Sequence, residues 1–141
     1  MDYKEMAKEL LDTRVGLLHV PANRELSKLV KGELFVLNYL LSRGDKTYPK
    51  DISKAMLVST ARIAVLLNAM EKKGFVTREA DGDDNRQIIV RLTPKGYEEA
   101  RNKREDIINA VIHMLEFLDP DEAAEYLRIQ KKIVKGLGRS V

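Results

Sequence analysis

The chain has 141 residues, enough for one compact domain, or for a small binding module plus the helices that pair it with a second copy, and too few for two enzyme domains. It has no cysteine, which excludes disulfides, thiolate metal clusters and a thiol nucleophile or redox switch. The net charge of +3 (25 Lys and Arg, 22 Asp and Glu) is localised, because residues 48–96 hold nine basic and six acidic side chains while the remainder balances.

The chain opens on charged residues, Asp2-Tyr3-Lys4-Glu5, with no apolar stretch behind them, so no signal peptide and no membrane partner are expected and the protein reads as cytoplasmic. Residues 2–20 carry Met6, Leu10, Val15, Leu17 and Leu18 at helical spacing, a pattern expected to stop at Pro21. Residues 31–42 repeat it with Leu34, Leu37, Leu40 and Leu41 on one stripe, ended by Arg43-Gly44-Asp45. Lys50–Met56 predicts a short helix with Pro49 near its first turn, where a missing N–H costs nothing. Ser59 predicts the cap of the next helix, with Ile63, Leu66, Leu67 and Met70 inward and Lys72-Lys73-Gly74 at its end.

Beyond Gly74 the period falls to two. Ile88, Val90 and Leu92 face opposite to Gln87, Ile89 and Arg91, which predicts a strand over Gln87–Leu92, a partner over Phe75–Glu79 and a hairpin loop over Ala80–Asn85. Thr93-Pro94 opens a helix through Ile107 and Val111 towards Leu118. Asp119-Pro120-Asp121-Glu122, with capping-box spacing, opens a last one through Leu127, Ile129, Ile133 and Val134.

A short helix, a tight connection, a capped helix and a hairpin are the order of a winged helix-turn-helix. The expected fold is mainly α with a small β-hairpin wing. The expected division is an N-terminal helix over 1–28, a DNA-binding winged domain over 29–96 and C-terminal dimerisation helices over 97–141. Winged helices also dock proteins, so an interaction module without DNA binding is the alternative. For double-stranded DNA, the major-groove candidates are Ser59, Thr60, Ala61, Arg62, Val65 and Asn68; Arg62 is foremost, because a guanidinium can take guanine O6 and N7 together. Lys50, Lys54 and Arg91 suit phosphate oxygens. Leu10, Ile108, Val111, Ile112, Leu115, Leu127 and Ile133 form apolar stripes on the terminal helices that either meet a second copy or complete the monomer's own core.

The segment Leu29-Val30-Lys31-Gly32-Glu33-Leu34-Phe35-Val36-Leu37-Asn38-Tyr39-Leu40 resembles the L-T-x-x-[QE]-[FWL]-x-V-L-x-x-L opening of the MarR family of transcriptional regulators. Ser59 through Met70-Glu71-Lys72-Lys73-Gly74-Phe75-Val76 is similar to that family's recognition-helix pattern, and Arg78, Asp84, Arg86 and Leu92-Thr93-Pro94-Lys95-Gly96 fit its wing and exit. The resemblance implies a homodimeric repressor on pseudo-palindromic DNA, released by a small anionic or phenolic effector. It implies a wing formed by Arg78, Asp84 and Arg86, with Arg86 in the minor groove. Val65 departs from the family, where arginine is common, and an apolar side chain there suits a thymine methyl rather than a phosphate. Among the loop's acids, Asp84 is expected to fold back onto Arg78, leaving Asp81 and Asp83 at the solvated tip. His19 and His113, the only histidines, are expected to be packing or surface residues rather than metal ligands. With no Ser/His/Asp set, H-E-x-x-H or phosphate loop, neither an enzyme nor a cofactor is expected.

Overall fold

A computed structural model describes residues 2–44 and 46–138, so Asp45 of the expected turn lies outside the described residues. The elements are α1 (Tyr3–Gly16), a 3-10 turn (Leu17–His19), α2 (Pro21–Lys28), α3 (Gly32–Ser42), α4 (Pro49–Met56), α5 (Thr60–Lys72), β1 (Val76–Ala80), β2 (Ile88–Leu92), α6 (Pro94–Glu116) and α7 (Pro120–Leu137). They form two compact units, one of residues 28–106 and one of residues 2–27 with 107–138. Among the described residues no single helix is long and apolar enough to cross a membrane.

The helical run does stop ahead of Pro21, at Val20, but a further helix that the periodicity did not announce begins there. Pro21 begins α2, because proline at a first helical position loses no hydrogen bond and brings a preset φ. The chain before it stops through the 3-10 turn, where Val20 N–H donates to Leu17 O at 3.0 Å.

The winged unit is built on a core of Val36, Leu37 and Leu40 from α3, Ile52 from α4, Ile63, Leu66, Leu67 and Met70 from α5, Val76, Val90 and Ala100. The α5 contribution follows the i, i+3, i+4, i+7 stripe read from the sequence. Between α4 and α5 the chain reverses at Leu57, which takes a left-handed φ of 60°. There Ser53 Oγ donates to Val58 O at 2.6 Å, holding the turn from inside.

α5 ends in a Schellman motif. Phe75 N–H donates to Met70 O at 2.9 Å and Gly74 N–H to Glu71 O at 3.0 Å, with Gly74 at φ 80°, which glycine adopts without a Cβ penalty. The hairpin that follows is antiparallel, pairing Val76 with Leu92, Arg78 with Val90 and Ala80 with Ile88. Both strands thus start and end within a residue of the expected places, and in β2 Ile88 is exposed while Ile89 and Val90, on opposite faces, are both buried. The outer edge of β2 is occupied as well, since Val90 N–H donates to Thr47 O at 2.8 Å.

The exit from the wing returns to the end of α5. Thr93 N–H donates to Phe75 O at 3.0 Å, and Thr93 Oγ1 donates to Gly74 O at 2.5 Å while accepting from Gly96 N–H at 3.0 Å. A Cβ on Gly96 would overlap the Phe75 carbonyl. The Leu-Thr-Pro-Lys-Gly sequence therefore has a steric reason: threonine ties the strand to the preceding helix, and only glycine lets α6 start that close.

In the other unit, α1 and α7 have no buried residues. Leu10, Ile108, Ile112, Leu127 and Ile133 are exposed, Val111 and Leu115 are half-buried, and Phe117 at the α6–α7 corner is 91% exposed. The corner is closed by the expected capping box, in which Glu122 N–H donates to Asp119 Oδ1 at 2.9 Å and Asp119 N–H to Glu122 Oε1 at 3.1 Å. The reading in which these stripes complete the monomer's core finds no support in burial along α1 or α7.

Candidate nucleic-acid interface

The cap at Ser59 forms as its position requires: its Oγ accepts from Arg62 N–H at 3.1 Å. This places Thr60, Ala61 and Arg62 in the first turn of α5, exposed, with Val65 (58% exposed) and Asn68 one and two turns on along the face opposite the core. Backbone N–H groups and the positive dipole end point out of this terminus, so its first turn favours an anionic or hydrogen-bond-accepting surface. Lys50 and Lys54 on α4 and Arg91 on β2 are exposed too. The Lys50 ammonium lies 5.8 Å from the centre of the Tyr48 ring.

Of the three expected wing residues, Arg86 projects furthest. Its side chain is 94% exposed, while its own N–H donates to Asp84 Oδ1 at 3.1 Å and its Nε lies 3.5 Å from the same oxygen. Arg78 is turned the other way, donating from Nη2 and Nε to the Glu71 carboxylate of α5 at 3.1 and 3.4 Å. The Arg78 guanidinium holds the Glu71 carboxyl below its usual range.

The expected pairing of Asp84 with Arg78 is therefore corrected, and so is the placing of Asp81 at the tip. The acid that folds back is Asp81, whose side chain is 3% exposed. Its Oδ2 accepts a 2.6 Å hydrogen bond from the Tyr48 hydroxyl. Its Oδ1 accepts from Lys46 Nζ and from Asp83 N–H, each at 3.0 Å. Lys46 Nζ also donates to Asp83 Oδ2 at 2.7 Å. The Tyr48 hydroxyl foremost, with the Asp83 N–H and Lys46, holds the Asp81 carboxyl at about 2. Conversely, Asp83 and Asp81 push the Lys46 ammonium above its ordinary value.

Lys46 and Tyr48 were not among the candidates read from the sequence. The available signal was their i, i+2 spacing, which puts both side chains on one side of an extended segment ahead of Pro49. Among the described residues no group of three or more His, Asp or Glu is placed to hold a metal ion.

Residues 33–111 match the family model for a winged helix DNA-binding domain, more than half of the chain, and the protein belongs to that family. The curated relatives include YwhA of Bacillus subtilis (strain 168), an uncharacterized HTH-type transcriptional regulator, 25% identical over 143 residues that cover 96% of this chain and 100% of that one. Similar solved structures include a MarR family protein from Bacillus stearothermophilus, with TM-score 0.76 and 22% identity over 99% of each chain. Another is Streptococcus pneumoniae FabT in complex with DNA, with TM-score 0.71 and 19% identity over 96% of this chain and 97% of that one. The resemblance to the MarR family is borne out in the fold, a winged helix with a two-stranded wing and helices on either side of it in sequence.

Proposed function

We propose that this protein is a non-enzymatic transcriptional regulator of the MarR type, acting in the cytoplasm as a homodimer on pseudo-palindromic double-stranded DNA and repressing by occlusion of a promoter. The observation that carries the reading is the pairing of a capped, outward-facing α5 terminus bearing Arg62 with a wing whose Arg86 side chain stands almost wholly in solvent beside Asp84. In this reading Ser59, Thr60, Ala61, Arg62, Val65 and Asn68 line the major groove, and Arg86 enters the minor groove, where narrow A·T tracts concentrate negative potential. Lys50, Lys54 and Arg91 bind phosphates and set register without reading sequence. Arg78 acts through Glu71, bracing the wing against α5.

The exposed apolar faces of α1, α6 and α7 support pairing with a second copy, and two-fold symmetry would set the reading helices about 34–36 Å apart, one turn of DNA. We further propose, on the family resemblance, that a small anionic or phenolic effector releases the operator. Such an effector acts only through its different affinities for dimers whose helices match or mismatch that spacing.

Selection of bound duplexes from a random-sequence pool, followed by titration of the best one, tests the reading. If the dimer neutralises about 6–10 phosphates, affinity falls about 10³–10⁵-fold between 50 and 200 mM salt. Arg62→Ala should cost about 1–3 kcal/mol at the preferred site and relax base preference, whereas Lys50→Ala should weaken all sequences alike. No salt-dependent binding, or the two variants exchanging behaviours, would overturn it in favour of a protein-docking module or a different reading face.

A further inference from the structure

Asp81 is the one buried charged residue among the described residues, and it lies where β1 gives way to the wing loop. A buried carboxylate is costly unless hydrogen-bonded, and this one is bonded both within its loop, by Asp83 N–H, and across 33 and 35 residues of sequence, by Tyr48 and Lys46. Tyr48 is itself fixed to the start of α4, since its N–H donates to Asp51 Oδ2 at 3.0 Å. Between the two, Thr47 O accepts from Val90 N–H of β2. The extended segment ahead of the helix-turn-helix therefore grips the wing at its loop and at its outer strand.

We propose that Asp81 is the positioning residue of the wing: through Tyr48 and Lys46 it locks the loop that presents Arg86 to the helix-turn-helix, and so sets the fit of the wing to DNA without touching it. The inference rests on the reading of Arg86 given above. Lys46 already donates to two carboxylates, Asp81 and Asp83, which makes it a member of the lock rather than a phosphate ligand. A hairpin loop left to fluctuate would have to be ordered on binding, at a cost in affinity; a loop already latched avoids that cost.

The sign of one substitution separates this role from plain electrostatics. Asp81→Asn removes a negative charge near an anionic partner, so charge alone predicts tighter binding, while the lock predicts weaker binding. Anisotropy titrations of the selected duplex with the full chain, each variant first checked by its thermal melt to be folded at the assay temperature, would read this. Tyr48→Phe, the milder variant, should weaken binding about threefold to tenfold, and Asp81→Asn at least as much. Neither should weaken it further in an Arg86→Ala background, where a general loss of structure would still show.

Tighter binding by Asp81→Asn, or losses that add in full to that of Arg86→Ala, would overturn the proposal. So would a fall of about one in the salt slope when Lys46→Gln is added to Arg86→Ala, because Lys46 would then be a phosphate ligand. If Arg86→Ala alone changes nothing, the wing reading fails and takes this inference with it. If Arg86→Ala weakens binding but Asp81→Asn and Tyr48→Phe do not, the inference alone fails.

Discussion

One absent methyl group decides how the wing joins the helix that follows it. At Gly96 a Cβ would meet backbone, the Phe75 carbonyl, which cannot swing aside as a flexible side chain would, whereas at Gly82 in the wing loop a Cβ meets nothing within 4 Å. Gly96→Ala should therefore destabilise the protein by about 1–3 kcal/mol in urea unfolding, as overpacking does. Gly82→Ala should stay within about 0.5 kcal/mol of the parent. Asp81 gives a second effect at this scale, with a definite sign. Its carboxyl is held at about 2 in the folded chain against an ordinary 3.8, so the ionised form favours folding. That contribution is complete above about pH 4 and is lost as the pH falls through about 2. Acid titration of stability should show a smaller loss over that window in Asp81→Asn than in the parent. Which of the three loop acids would turn inward was not legible in the sequence: Asp84 lies at a family motif position, but the choice is made by Tyr48 and Lys46, residues far away along the chain. Nor was the turn at Leu57, since a leucine with positive φ carries none of the Gly or Asn signature that announces such a turn.

Helices with strong local instructions were the most legible elements. α5 carries a serine cap, a four-residue apolar stripe and a glycine stop, and all three operate as written. α7 carries Asp119, Pro120 and Glu122, and its capping box forms. α2 was missed because the same proline that closes one pattern can open another, and residues 21–28 offer only one buried side chain, Ala22, to advertise a helix. Strand limits shifted by about a residue, and the period of two in β2 did not foretell that Ile89 and Val90, on opposite faces, are both buried, since alternation reports faces but not what covers them. The α5 cap invites a test of its own. Ser59→Ala should cost about 0.5–2 kcal/mol in thermal unfolding and fray the turn that bears Thr60 and Arg62, while Ser59→Asp should retain the stability. A loss of DNA affinity larger than the loss of stability would mark that turn as part of the contact surface.

At the scale of the molecule, apolar residues left in water along α1, α6 and α7 are the largest unfinished business of the fold. Ile112 is 46% exposed and Leu127 52%. A charge at Ile112 should prevent pairing without disturbing the winged unit, whose core it does not join. Sedimentation of Ile112→Glu should give a monomer with the parent's helix content and with DNA affinity reduced to that of a single half-site; a dimer of unchanged affinity would place the contact elsewhere. The pattern of terminal stripes was visible in the sequence, but whether they face inward or outward was not, because periodicity fixes a helix's apolar side and leaves its partner open.

The grip of residues 46–48 on the hairpin also bears on recombination. A chimera that exchanged only the hairpin would import an acid adapted to one lysine and one tyrosine and seat it opposite strangers, while stranding that lysine and tyrosine in the recipient. On the proposed reading of α5 and Arg86, the transferable cassette for re-engineering specificity would be the continuous stretch 46–92, and grafts cut within it should inherit α5 while misaiming the finger beside it.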